Sequence, residues 1–336
     1  MDIGHKFNLP FKFDLPKLGS RKVVIDWGSS SLKIVSASKQ KDSYLITDFA
    51  YKKTGDNLSL DLSRIWEEKN FPLANITVAL DGASTLVRVV DFPLMDKKLI
   101  RESLGYELPK YVPFSSDEVY FDYHVLGKDD SRGMLKLIIA VVKKVSLDEK
   151  VGLLKFAGLM PSKVTLGPVS LANLFLKSFP QQEKPVAILD MGFSYSMVII
   201  IYKNSLYLSR ELKRGAKDIF TRISNILGKK VDNFEDLENN KDSLEDSFLA
   251  DASSDLVEEI KISLDYLETK ENLLVDKVYV TGGIISSERI KRVLPQALGI
   301  ELFPLSILKY FSCASGVQEE LNPLEGNFAV ALSSLL

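Results

Sequence analysis

The sequence predicts an α/β protein of two similar domains whose hairpins face each other across a cleft, with a β-rich unit inserted in the first. Three observations carry this. Asp26-Trp27-Gly28-Ser29-Ser30 is echoed by Asp190-Met191-Gly192-Phe193-Ser194, with Asp, Gly and Ser at the same spacing. Each copy follows one apolar run and precedes another, as a strand, a tight turn and a returning strand would. Between the copies, residues 76–166 change rhythm toward strand-like alternation and read as an insertion.

Taken in order, residues 1–20 hold no period, and their prolines and lysines interrupt any signal-like apolar core, so they read as a tail. Residues 22–39 form the first hairpin and 44–53 an alternating third strand. Leu62, Ile65 and Trp66 set a helix over 60–70; strands follow at 76–82 and 85–93, then a helix from Lys97 to Leu108 closed by Pro109. Strands at 119–127 and 134–144 flank the turn KDDSRG. Ser146 with Glu149 predicts a capping box for a helix over 147–157. A short strand SKVTL and a helix over 168–178 complete this half.

After the linker 181–185 the pattern restarts, with strands around Asp190, a helix over 215–227 ended by Gly228, and an acidic stretch, 232–255, read as a solvated face. A long helix over 253–271 precedes VDKVYVT, a buried strand running into Gly282-Gly283. A helix over 286–297 and an apolar C-terminal helix finish the chain.

Composition narrows the function. A net charge of −2 supplies no basic field for nucleic acid. One cysteine and two histidines leave no disulfide framework and little for a zinc site. No apolar run is long enough to span a membrane, so a cytoplasmic place is expected.

The hairpins carry the chemistry. Gly-Ser turns can aim backbone N–H groups and hydroxyls at one spot, a nest for phosphate. Asp26 and Asp190 would stand at strand ends, where Mg²⁺ needs hard oxygen ligands. Lys33 would meet phosphate charge. Gly282-Gly283 suits a close approach of backbone to a flat ring. Most Gly-Ser hairpins bind nothing, and it is the second copy that raises the reading above a turn.

These residues resemble the actin-like ATPase superfamily, and more narrowly the PilM family of pilus-assembly proteins, relatives of the cell-division protein FtsA. The resemblance covers about residues 20–336. It lies in IDWGSSSLKIV, LIRESLGYELPKYVPFSSDEVYFDYHVLG, KVGLLKFAGLMPSKVTLGPVSLANLF, LDMGFSYSMV, EEIKISLDYLE and VTGGIISSERIKRVLPQALGIEL. It implies an α/β, actin-like two-domain fold, duplicated RNase H-like domains with an inserted FtsA/PilM-type α+β subdomain. The expected organisation is a flexible tail (1–20) and a first domain (21–180) with the insertion at about 76–166. A second domain (181–312) has a small subdomain at about 230–255, and a C-terminal helix (313–336) returns to the first domain.

The resemblance also implies ATP and Mg²⁺ as cofactors. Asp26, Gly28, Ser29, Ser30, Ser31 and Lys33 match the first phosphate loop. Asp190, Gly192 and Ser194 match the second, with Gly215 behind it and Gly282 and Gly283 in the adenosine motif. Glu258 and Lys261 match adenosine contacts, or form a plain surface ion pair. Asp26 and Asp190 would hold the metal, and Asp190 is the candidate catalytic base. Phe193, Tyr195, Arg214 and Ile284 depart from the family pattern: bulk at the first two could crowd the phosphates, and Arg214 could add charge.

The implied role is a cytoplasmic ATP-binding scaffold, peripheral at the inner membrane. It would bind the N-terminal peptide of a PilN-like bitopic partner near Tyr111–Phe114 and link it to the pilus motor. Phe7-Asn8-Leu9-Pro10 in the tail is similar to such a peptide. A working ATPase or sugar-type kinase, a self-associating FtsA-like filament and a type II secretion component remain the alternatives.

Overall fold

The apolar runs that flank each Asp-x-Gly turn become the central strands of two separate sheets. The computed structural model describes residues 21–41, 43–55, 57–80, 82, 84–240 and 244–336. The tail and its Phe7-Asn8-Leu9-Pro10 segment lie outside these.

β1 (Arg21–Trp27) and β2 (Ser31–Lys39) form the first hairpin, and β3 (Tyr44–Lys53) extends it antiparallel. After α1 (Leu58–Lys69), β4 (Ile76–Leu80) returns parallel to β1. β5 (Thr85–Pro93), β6 (Val119–Asp129) and β7 (Met134–Lys143) make a separate three-stranded sheet, ordered β5-β7-β6, with α2 (Lys97–Glu107) between β5 and β6 in the chain. α3 (Lys144–Phe156) leads to β8 (Pro161–Leu166), parallel to β4, and then to α4 (Gly167–Ser178).

The second half repeats the plan. β9 (Val186–Met191), β10 (Ser196–Tyr202) and β11 (Ser205–Leu212) form an antiparallel meander. α5 (Ala216–Leu227), α6 (Phe234–Asn239), α7 (Asp246–Ala252) and α8 (Ser254–Glu271) precede β12 (Lys277–Thr281), which lies parallel to β9. α9 (Glu288–Leu298) and β13 (Leu302–Pro304) complete that sheet. β14 (Ser312–Cys313) crosses back to pair with β3, followed by α10 (Val317–Leu321) and α11 (Ala329–Ser333).

The sheet orders are β14-β3-β2-β1-β4-β8 and β11-β10-β9-β12-β13. Apart from β14, each runs third-second-first-fourth-fifth in its own half. The duplication seen in two turns is therefore a duplication of topology, and the fold is actin-like.

Central strands covered on both faces need apolar residues throughout. Ile76–Leu80 is buried along its whole length, and so is β1 after Arg21. α4 carries Leu171, Leu174 and Phe175 into the core and also reaches the second sheet, where Phe175 meets Tyr279 edge-on at 5.1 Å. The three-stranded sheet has its own core of Phe92, Ile100, Leu104, Leu137 and Ile139. It touches the second half where the Arg88 guanidinium donates to the Ser209 carbonyl at 3.5 Å.

Three expectations need correcting. β4 and β8, at the two ends of the expected insertion, are hydrogen-bonded into the first sheet, so the separate sheet begins at Thr85 and ends at Lys143. A parallel strand takes its partner from distant sequence, which local rhythm does not report. Ser146 does not cap α3, because β7 runs straight into the helix and the Ser146 hydroxyl bonds Ser84 instead, at 3.0 Å. The acidic stretch is not simply a solvated face. Leu237, Leu244 and Leu249 are buried, and Asp246 is held by the buried Arg289 at 3.0 Å and by Arg292.

Candidate functional site

In an antiparallel pair, opposite residues share a face and alternate along each strand. The register sets Asp26 opposite Lys33 and Lys33 opposite Tyr51, so these three side chains form a row. Lys53 stands one step along, opposite Ser31. The turn between β1 and β2 closes with the Gly28 N–H donating to the Ser31 carbonyl at 3.1 Å. A Cβ at Gly28 would sit 2.6 Å from the Lys33 amine that lies over the turn, so a side chain there would displace that ammonium.

The second turn copies this geometry: the Gly192 N–H donates to the Tyr195 carbonyl, also at 3.1 Å. Behind it, the Ala216 and Lys217 amides donate to the Gly192 and Phe193 carbonyls at 3.1 and 2.9 Å. The Asp218 carboxylate accepts from the Gly215 N–H at 2.9 Å. The start of α5 is thus fixed to the hairpin. The third turn has Gly282 at φ +94°, with its N–H donating to the Gly326 carbonyl at 3.1 Å. A side chain at Gly282 would strike the backbone of Met191. The close approach this glycine permits is therefore first of all between chain segments.

All three turns face one cleft of about 380 Å³. It is lined by Asp26, Gly28, Ser29, Ser30, Ser31, Lys33, Asp190, Gly192, Gly282 and Gly283, all anticipated from sequence. Ser194 and Gly215 adjoin the second turn without lining the cleft, and Glu258 and Lys261 are exposed on α8, away from it. Their spacing put them on one helix face, but nothing local says which face looks inward. Arg214 does not add charge to the cleft, since it pairs with Asp218 and Asp255, each at 3.6 Å.

Sequence reasoning missed Tyr51, Lys53, Phe220, Asp232, Asn233, Phe234 and Asn327, which also line the cleft. Counting alternation out from Lys33 across the hairpin would have found Tyr51 and Lys53. Phe193 packs toward Phe220 (centroids 6.3 Å apart), and Phe220 meets Phe234 edge-on at 5.0 Å, giving the second half an aromatic wall. Tyr195 leans across the cleft onto Gly82.

The electrostatics centre on two carboxylates. Asp26 is 2% exposed and its Oδ2 pairs with the Lys33 Nζ at 3.4 Å, while its Oδ1 has no hydrogen-bond partner among the described residues. Burial pushes the Asp26 carboxyl up, and Lys33 opposes this. Burial also pushes Asp190 up to about 7, helped by the charge of Asp26 and opposed by Lys33. The buried Asp26 and the half-buried Asp190 share Lys33 as their neighbouring cation, and a further cation between them would favour their charged forms.

The Tyr111–Phe114 segment borders the separate sheet. Val112 is buried in that core, Tyr111 packs on Phe92 at 6.2 Å, and the Phe114 ring lies under the Lys143 amine at 4.9 Å. Among the described residues no helix is long and apolar enough to cross a membrane.

A family model described as type IV pilus assembly protein PilM matches residues 24–333. Among solved structures, a PilM–PilN type IV pilus biogenesis complex is 20% identical with a TM-score of 0.76, over 93% of this chain and 96% of that one. A Bacteroides thetaiotaomicron protein with an actin-like ATPase fold and unknown function is 11% identical with a TM-score of 0.49, over 96% and 99%. Ethanolamine utilization protein EutJ from Carboxydothermus hydrogenoformans is 11% identical with a TM-score of 0.48, over 95% and 90%. No curated protein sequence gave a significant match.

Proposed function

The chain belongs to the PilM family of type IV pilus assembly proteins, and from that premise we propose that it is an ATP-binding scaffold that links a membrane partner to the pilus motor. The observation that supports this most is the convergence of the two Asp-x-Gly turns, Lys33, the buried Asp26 and the half-buried Asp190 on a single cleft. Phosphates suit the turns. The aromatic wall of the second half suits a base.

The donor set fits Mg²⁺. The Asp26 Oδ1, without a hydrogen-bond partner among the described residues, and the raised Asp190 are hard oxygen groups that a cation would stabilise. Among the described residues no cluster of three or more His, Cys, Asp or Glu could hold a metal. The ion would therefore take its remaining ligands from water and phosphate, as Mg²⁺ commonly does. When bound it would neutralise the cleft and the nucleotide together.

The partner in this reading is the N-terminal cytoplasmic peptide of a PilN-like bitopic protein, held beside the separate sheet near Tyr111–Phe114. That partner would bring the scaffold to the inner membrane. Nucleotide would bias cleft closure and with it partner affinity, by shifting populations.

Calorimetry with Mg-ATP on the wild type and on Lys33→Ala tests the nucleotide half. Binding by the wild type and a loss of about tenfold or more in the variant are expected. No heat from the wild type would reduce the protein to a nucleotide-free adaptor. Phosphate release with Asp190→Ala as control reads whether turnover accompanies binding.

A further inference from the structure

We infer that Lys53 reads the terminal phosphate, so that the cleft takes a nucleoside triphosphate in preference to the diphosphate. The inference rests on the nucleotide reading above and adds a discriminating residue to it.

Position comes first. Lys53 stands opposite Ser31 in the β2–β3 register, on the face that carries Lys33 and Tyr51. The next residue fixes it there, because the Thr54 N–H donates to the Ser30 carbonyl at 3.0 Å. The last residues of β3 are thus tied to the phosphate turn, and Lys53 lines the cleft. It belongs to the first half of the chain, whereas Phe193, Phe220 and Phe234 of the aromatic wall belong to the second. A nucleotide with its base on that aromatic side would extend its phosphates toward Ser31 and Lys53.

Charge comes second. The three lysines here differ in what holds them. Lys33 is committed to Asp26 at 3.4 Å. Lys52 alternates to the other face and pairs with Asp61 at 3.2 Å. Lys53 has no carboxylate partner among the described residues. Much of the Lys33 charge is thus already balanced by Asp26, whereas the Lys53 ammonium, at the rim of a turn built for anions, meets no carboxylate among the described residues. A diphosphate would end short of it, while the third phosphate supplies the charge it lacks.

Calorimetry on the full chain with Mg-ATP and Mg-ADP provides the test, using wild type, Lys53→Gln, Lys53→Arg and, as a control, Lys52→Gln. The wild type and Lys52→Gln should favour ATP. Lys53→Gln should lose about tenfold in ATP affinity and less than about twofold in ADP affinity, and Lys53→Arg should keep the preference. Because Lys53 is exposed, added salt should shrink the wild-type preference. An equal loss for both nucleotides in Lys53→Gln, or no loss for either, overturns the inference while leaving nucleotide binding in place. Failure of the wild type to bind either nucleotide removes both readings together.

Discussion

The ring of Tyr195 occupies the space into which a side chain on Gly82 would grow. A Cβ there would meet the Tyr195 Oη at 2.6 Å and its Cε1 at 2.8 Å. The two residues come from opposite halves: Tyr195 closes the second hairpin, and Gly82 follows β4 just before the separate sheet begins. The Gly82 carbonyl accepts from the Thr85 N–H at 2.8 Å and its hydroxyl at 3.0 Å. The contact therefore runs from the cleft to the first residue of β5.

Gly82→Ala should destabilise the protein by about 2–4 kcal/mol, because it adds backbone strain at φ +88° to the steric conflict with the ring. Adding Tyr195→Ala should recover the steric share and leave the strain, so the pair is non-additive in urea unfolding. Strict additivity would mean that the ring does not press on this glycine.

Lys22 joins the two ends of the described chain. It is 7% exposed, and its ammonium donates to the Ser334 and Leu335 carbonyls at 2.9 and 3.0 Å, just beyond α11. Lys22→Met preserves the stem but strands two acceptors, at a cost of roughly 2–3 kcal/mol. The check is a lower urea midpoint together with faster amide exchange over 329–336. Exchange unchanged in that segment would show that α11 is held by packing alone.

What was legible in the sequence was whatever is written locally. Asp26, Gly28, Asp190 and Gly192 belong to short turns whose chemistry and spacing repeat, and they lie where the repeat predicted. Tyr51 and Lys53 reach the cleft through strand register. Phe220 and Phe234 reach it through the packing of α5 against α6, and Asn327 through the return of the chain end. Only Tyr51 and Lys53 could have been counted from the sequence, by alternation across the hairpin; the others have no local signature. The boundary at β4 and β8 was misread for the same reason, since a parallel strand is an apolar run until its neighbour is known.

Glu211 gives a pH dependence. Burial pushes its carboxyl above the ordinary 4.5, opposed by Lys213, and its Oε2 has no hydrogen-bond partner among the described residues. A raised carboxyl in the folded state favours folding while it is protonated. That contribution is complete below the unfolded value and lost as pH rises through the folded one. Glu211→Gln keeps a neutral group at every pH. Its urea midpoint should therefore gain on the wild type as pH rises from the ordinary 4.5 upward. A constant difference across that range would mean that Glu211 ionises normally in the fold.

The aromatic wall separates base recognition from phosphate recognition. Phe234 begins α6, lines the cleft and packs edge-on against Phe220, while the cationic groups lie on the opposite hairpin. If the base rests against this wall, Phe234→Ala should weaken Mg-ATP by roughly tenfold, the scale of one lost stacking contact. Inorganic tripolyphosphate, which has no base, should bind the variant and the wild type alike. The opposite pattern, with both ligands weakened equally, would mean that removing Phe234 collapses the cleft as a whole. Phe234→Leu would then be the second variant, because it fills the space without a ring. Retention of ATP affinity by Phe234→Leu would assign the wall to packing, and its loss would assign the wall to the base.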